Sequence, residues 1–175
     1  MRLFIAVELP EVMMDALAET QAMLRNAICG RSTAPNSLHV TLAFLGEVPQ
    51  SRIAEISRAL ENACLRSNAF HARLGDLGSF DERDNAIVWQ GFSNPTPFTD
   101  LAQNVRRELD AIGIGYDRRP MTAHVTLMRR ANLTSDSLPM PTRAESIIST
   151  VTLFSSELTP RGPIYMPVHT VELPK

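Results

Sequence analysis

Apolar and polar residues alternate from residue 2 to residue 9, which is the pattern of a strand with one buried face. In three longer segments the apolar positions recur every three or four residues, as in an amphipathic helix. Segments rich in Gly, Pro, Asn and Asp separate these runs. The pattern predicts helices at 11–28, 50–66 and 98–112, and further strands at 38–46, 70–77, 86–91, 121–129, 145–155 and 164–173.

Turn and cap residues refine this outline. Ser51 is the expected N-cap of the second helix, because its hydroxyl is able to accept a hydrogen bond from the first turn. Trp89 is expected in the core, where most tryptophans bury much of their surface. Gly75 and Gly78 mark bends in the strand that contains them. Loops or turns are predicted at 31–37, 81–85, 131–143 and 159–163.

The tetrapeptide His-Val-Thr-Leu occurs twice, at 39–42 and at 124–127. Side chains alternate along a strand, so the His and the Thr of each copy share one face. A predicted helix precedes each copy, which amounts to a weak internal duplication. We therefore predict an α+β fold in which two antiparallel-rich sheets carry helices on their outer sides and the two motif strands meet across a central cleft. Residues 1–175 are expected to form a single bilobal domain.

Composition narrows the function. The chain has 175 residues, 44% of them hydrophobic, which is enough for a proper core. No apolar run approaches a membrane span, so we expect a cytoplasmic protein, and we expect it to be monomeric. Cys29 and Cys64 have no metal-ligand spacing and are expected to be buried, reduced thiols. The net charge of −2 argues against a protein that coats long polyanions, but it allows a small or terminal phosphate.

The duplicated motif offers the chemistry of in-line phosphoryl transfer. Imidazole titrates near neutrality, so one ring is able to take a proton from the attacking oxygen while the other gives a proton to the leaving oxygen. The two rings must then lie on facing elements. The hydroxyls of Thr41 and Thr126 are suited to the non-bridging phosphate oxygens, and a guanidinium from Arg129 or Arg130 would add a charge-assisted contact.

A structural role for the histidines and a zinc site compete with this acid–base chemistry. A single His on a strand is usually a structural residue, but only His39 and His124, of the four histidines, have Thr two places on. Zinc would need further ligands, yet no third ligand is evident in the sequence near either His. The chain contains no phosphate-binding Gly-rich loop, and the signatures of Ser or Cys nucleophiles are absent.

The segments around the two motifs resemble the 2H phosphoesterases and, within them, the bacterial RNA 2′,3′-cyclic phosphodiesterases, historically called 2′-5′ RNA ligases. The chain differs from the usual pattern at Ser32 or Thr33, where the family often has Trp, and at Ala123, where it usually has Pro. Without that Trp, the loop at Ser32 and Thr33 has no aromatic ring for a stacking contact. Ala123 in place of Pro leaves the His-x-Thr register intact. The segments that carry the resemblance are 2–10, 36–48, 123–129, 155–158 and 161–165.

The resemblance implies a bilobal fold and the opening of a terminal 2′,3′-cyclic phosphate of RNA to a 2′-phosphate. His39 would donate a proton to the leaving 3′ oxygen, and His124 would act as the base for water. Thr41, Thr126 and Arg129 would hold the phosphate, and no metal or nucleotide cofactor is implied. The family also implies the reverse reaction, 2′-5′ RNA ligation.

Two rival functions remain open on the sequence alone. One is a non-catalytic module of the same fold that binds RNA ends or nucleotides, and the other is a phosphodiesterase for 2′-5′ oligonucleotides or small cyclic nucleotides. Turnover of a cyclic-phosphate substrate distinguishes the first rival from an enzyme, and a panel of the three substrate types distinguishes the second.

Overall fold

The protein folds into two antiparallel sheets with three α-helices, in a computed structural model that describes residues 1–80, 84–133 and 138–175. Short 3-10 turns at Pro35–Ser37 and Gln50–Arg52 precede the third strand and the second helix. The helices are α1 Glu11–Ala27, α2 Ile53–Leu65 and α3 Thr96–Ala111. The strands are β1 Arg2–Val7, β2 Arg31–Ser32, β3 Val40–Glu47, β4 Phe70–Phe80, β5 Ala86–Phe92, β6 His124–Ala131, β7 Glu145–Ile148, β8 Thr150–Thr159 and β9 Gly162–Glu172.

The two copies of the motif lie in different sheets. The first sheet has the strand order β3-β1-β8-β9, with the first motif strand at its edge. The second sheet has the order β2-β6-β5-β4-β7, and β6 carries the second motif. The predicted α+β class with two antiparallel sheets is confirmed. The chain crosses between the two sheets, so strands that follow each other in sequence do not always lie side by side.

Strand β1 separates the core from a second, smaller apolar cluster. Leu3, Ile5 and Val7 are fully buried in the main core, which also takes in residues of all three helices and of both sheets. Burying side chains of this size stabilises the fold by about 1.5–3 kcal/mol each. Phe4 and Ala6 project to the opposite face and pack with other residues of the first sheet. This second face matters for the site described below.

One predicted strand proved to be two. The segment predicted at 145–155 divides at Ser149: β7 pairs with β4 in the second sheet, and β8 pairs with β1 in the first. The prediction was wrong here because alternation fixes which side chains share a face but not which strand is the partner. The last strand begins at Gly162, where the predicted turn at 159–163 connects it to β8.

Other boundaries also differ from the sequence prediction. Ser51 is not an N-cap, because it lies inside the 3-10 turn and α2 starts after Arg52 without a side-chain cap. The predicted loop at 31–37 contains the short strand β2, which pairs with β6. Strand β4 continues through Gly75 and Gly78, with an irregular register between Leu74 and Leu77. Of the predicted turn at 81–85 and the predicted loop at 131–143, residues 81–83 and 134–137 lie outside the described residues.

The two cysteines differ in their surroundings. Cys64 is buried in the core, and this burial raises the pKa of its thiol to about 12. Cys29 is exposed, so the prediction of two buried thiols was wrong for Cys29, which follows α1 in the turn before β2. Across the described ranges, no helix is long and apolar enough to cross a membrane.

Candidate active site

Each motif histidine is anchored to the main chain two residues before it. His39 lies just before β3, and its Nδ1 is 2.8 Å from the carbonyl oxygen of Ser37. His124 is the first residue of β6, and its Nδ1 is 2.5 Å from the carbonyl oxygen of Thr122. A carbonyl oxygen only accepts hydrogen bonds, so Nδ1 carries the proton in both rings. In the neutral rings Nε2 therefore keeps its lone pair, and it is the nitrogen left for a substrate.

The threonine of the first motif contacts its histidine directly. The Thr41 hydroxyl lies 3.0 Å from His39 Nε2, and with the proton on Nδ1 the hydroxyl is the donor. Thr41 and Thr126 are both half-buried beside their histidines. The first ring is thus fixed at both nitrogens in a neutral state, which defines its orientation before a ligand binds.

Aromatic side chains pack against both imidazoles. The ring centroid of His39 is 5.0 Å from that of Phe4 and 5.4 Å from that of Tyr165. The ring centroid of His124 is 5.1 Å from that of Phe80 and 5.9 Å from that of Trp89. Each imidazole therefore has an apolar wall that limits its access to water.

One groove of about 580 Å³ is lined by both motifs. His39, Thr41, His124, Thr126 and Arg129 all line it, so the structure brings together every site residue that the sequence indicated. The lining includes five arginines and neither aspartate nor glutamate among the described residues, although the whole chain has a net charge of −2. The groove is thus an anion-attracting surface on a slightly acidic protein. The five arginines are Arg2, Arg31, Arg129, Arg130 and Arg161.

The surroundings of the two histidines favour neutral imidazoles. Burial is the main cause that lowers the pKa of His39 to about 4, and the positive charge of Arg129 lowers it further. Burial also lowers the pKa of His124, again with a contribution from Arg129. The hydrogen bonds to the Ser37 and Thr122 carbonyls act in the opposite direction but do not offset burial. These shifts favour the neutral form of both rings at pH 7 in the free protein.

Sequence reasoning missed the aromatic residues around the two rings. Trp89 was expected in the core, but it is half-buried and packs against His124. Phe4 and Tyr165 were not singled out, although the alternation of β1 places Phe4 on the face opposite Leu3 and Ile5. That alternation is the one signal that could have found Phe4, and no comparable signal marks Phe80 or Trp89.

Known proteins share this arrangement of the chain. A family model for LigT-like phosphoesterases matches residues 7–89. An RNA 2′,3′-cyclic phosphodiesterase of Thermus thermophilus is 35% identical over 173 residues, covering 94% of this chain and 86% of the relative. The chain belongs to the LigT-like phosphoesterase family. The RNA 2′,3′-cyclic phosphodiesterase of Escherichia coli is 29% identical over 168 residues, covering 95% of this chain and 93% of the relative.

The three-dimensional similarity to other LigT-like phosphoesterases is equally extensive. The crystal structure of Escherichia coli LigT complexed with 3′-AMP has a TM-score of 0.86 at 28% identity, and the match covers 99% of this chain and 98% of that chain. The match therefore includes both sheets and both motif strands.

Gly78 leaves the space that the indole of Trp89 occupies in this LigT-like site. A Cβ atom at Gly78 would lie 2.4 Å from two carbons of the Trp89 ring. We expect Gly78→Ala to displace the indole and to lower the free energy of unfolding by about 1–3 kcal/mol, the usual cost of overpacking. Trp89 is the only tryptophan, so its fluorescence emission reports the displacement directly.

Gly115→Ala is the matched control for this substitution. A Cβ atom at Gly115 meets nothing within 4 Å. We expect this variant to keep the emission maximum and stability of the parent protein. Unchanged Trp89 emission in Gly78→Ala, with unchanged stability, would contradict the packing described here.

Proposed function

We propose that the protein is an RNA 2′,3′-cyclic phosphodiesterase that opens a terminal cyclic phosphate to a 2′-phosphate. The observation that carries the proposal is the pair of imidazoles, each tied through Nδ1 to a main-chain carbonyl, in one groove lined by arginines. The names of the relatives support the same reaction. The protein acts as a single domain, and RNA ends with a cyclic phosphate are its partners. We also propose that the protein is monomeric and that it acts in the cytoplasm.

In the proposed mechanism, His124 is the base and His39 is the acid. A water molecule attacks phosphorus while His124 Nε2 takes its proton. The bond between phosphorus and the 3′ oxygen breaks, and the leaving oxygen takes the proton from Nε2 of protonated His39. The products are a free 3′ hydroxyl and a 2′-phosphate. A proton then returns from His124 to His39 through solvent, which restores the singly protonated pair that starts the next turnover.

The other motif residues stabilise the charge that develops on the phosphate. The hydroxyls of Thr41 and Thr126 donate to the non-bridging oxygens, and Arg129 adds a charge-assisted contact. Arg129 is suited to this role because its charge acts on both imidazoles. When the substrate enters, the Thr41 hydroxyl leaves His39 Nε2 for a phosphate oxygen, which frees that nitrogen for the leaving group.

The proposed mechanism does not use a metal ion. Within the described ranges, no group of three His, Cys, Asp or Glu side chains is arranged to hold one. The guanidinium and hydroxyl donors supply the positive potential instead. Hydrolysis is the expected net direction over ligation, because water is present at about 55 M while a 5′ hydroxyl end reaches a comparable effective concentration only when it is held in place.

The decisive assay incubates the protein in EDTA with an oligoribonucleotide that ends in a 2′,3′-cyclic phosphate. We expect complete conversion to a product with a 2′-phosphate. A substrate that persists although it binds would indicate the non-catalytic module, and a product with a pure 3′-phosphate would contradict the mechanism. Parallel incubations with a 2′-5′ oligonucleotide and a small cyclic nucleotide test the remaining rival.

A further inference from the structure

Strand β6 contains a bulge directly after the second motif. Val88 pairs with Met128 and Ala86 with Ala131, so three steps along β6 match two steps along β5. Arg130 lies in this bulge with φ +51°, and it is the one residue other than glycine in the left-handed region in the part of the chain that the structure describes. A side chain with a Cβ atom adopts this conformation at a cost in free energy.

The bulge places two consecutive arginines in the lining of the groove. In a regular strand Arg129 and Arg130 would point to opposite faces, whereas both line the groove here. Bulges next to functional sites commonly redirect a side chain in this way. Neither guanidinium has an ion pair or hydrogen bond with any described residue, so both are available to a ligand. The left-handed conformation of Arg130 therefore costs free energy, but it adds a second arginine to the groove beside Arg129.

Further positive charge lies at the turn between β8 and β9. Arg31 on β2 donates a hydrogen bond from Nη2 to the carbonyl oxygen of Arg161, at 2.8 Å. Gly162 lies in the same turn with φ +118°, a backbone conformation that residues with a Cβ atom rarely adopt. Arg31 and Arg161 both line the groove. Arg31 is also the register partner of Arg129, so this group adjoins the reaction centre.

The charge of the groove exceeds what the reacting group needs. A cyclic phosphate carries one negative charge, and Arg129 is placed to meet it. A mononucleotide would leave the other guanidinium groups without an anionic partner, whereas an RNA chain carries one further negative charge for each nucleotide that precedes its end. A ligand that carries several phosphates matches this excess of positive charge.

We propose that Arg31, Arg130 and Arg161 form a second anion subsite that binds the phosphodiester groups preceding the cyclic end of an RNA chain. The proposal rests on the proposed function for the identity of the chain end. It makes the length of the substrate, and not only its terminus, a determinant of affinity. These three arginines are positioning residues that act on the chain and not on the reacting phosphorus.

Binding of product-like ligands tests this subsite independently of catalysis. We expect a ribotrinucleotide ending in a 2′-phosphate to bind at least tenfold more tightly than the mononucleotide 2′-phosphate at about 0.1 M salt. Arg130→Ala should weaken trinucleotide binding by about five- to tenfold and reduce the steepness of its salt dependence by about 0.7 in the log–log slope, the value for one phosphate contact on a single strand. Arg130→Gly should have the same effect, and glycine accepts the backbone conformation, which excludes misfolding as the cause.

Arg58→Ala is the matched control, because it removes the same charge from the exposed surface of α2, outside the groove. We expect it to leave trinucleotide binding within twofold of the parent. Equal weakening of mononucleotide and trinucleotide binding by Arg130→Ala, or equal effects of Arg58→Ala and Arg130→Ala, would overturn the proposal. If the parent protein prefers the trinucleotide but turns over no cyclic phosphate, the proposed function fails and the subsite stands.

Discussion

Replacing His124 or His39 by alanine is expected to lower kcat/KM for cyclic-phosphate RNA by about 10²–10⁴-fold, the contribution of a positioned general acid or base. Each variant lacks one of the two proton transfers that in-line displacement requires. The fold should survive, since both rings are only half-buried and face the groove rather than the main core. The measurement is steady-state kinetics in EDTA, with thermal unfolding of each variant measured alongside.

The losses of kcat/KM caused by the two substitutions should not multiply in the double variant. When acid and base act in one transition state, loss of either removes most of the advantage of the other, so the double variant should be about as slow as the slower single variant. His71→Ala is the matched control, because His71 is exposed on β4 and lies outside the groove. Activity within threefold of the parent in either His39→Ala or His124→Ala would exclude that ring from the chemistry.

The sequence predicted the elements that local patterning governs. The alternation of Leu3, Ile5 and Val7 identified β1 and its buried face, and helical spacing located all three helices to within a few residues. The change of sheet at Ser149 and the pairing of β2 with β6 depend on contacts between distant segments, which a local pattern does not contain. Alternation also could not indicate the short 3-10 turn that replaced the expected cap at Ser51.

The part of the candidate site that consists of repeated residues was predictable from the sequence. The part that depends on tertiary packing was not. Identical tetrapeptides pointed to His39 and His124 because a repeated motif is visible in one dimension. Trp89 and Phe80 reach His124 from a neighbouring hairpin, so nothing near the motif indicates them. The conformation of Arg130 depends on an extra residue in β6 relative to β5, and only the pairing of the two strands defines such a bulge.

The second large effect concerns pH. The pKa of His39 is lowered to about 4 and that of His124 is also lowered, mainly by burial in both cases. Catalysis needs one protonated and one neutral ring. As pH rises above both pKa values, the fraction of protein with a single proton on the pair falls tenfold per pH unit, whichever ring holds it. As pH falls below both values, the second ring is also protonated and the base is lost.

We therefore expect kcat/KM to follow a bell with its maximum below pH 6.5, the ordinary value for histidine. From pH 7 to pH 9 it should fall by about a hundredfold. The two apparent pKa values belong to the pair, since the rings share one site. Bound phosphate should raise them, because a negative charge favours the protonated ring, so the profile of kcat should lie at higher pH than that of kcat/KM.

The most direct test of paired acid–base chemistry is the pH dependence of kcat/KM for cyclic-phosphate RNA in EDTA, from pH 4 to pH 9. A bell with its maximum below pH 6.5 and a limiting slope of about −1 on its alkaline side is the predicted result. A rate that is flat from pH 5 to pH 9, or that rises throughout this range, would contradict catalysis by two imidazoles of opposite protonation.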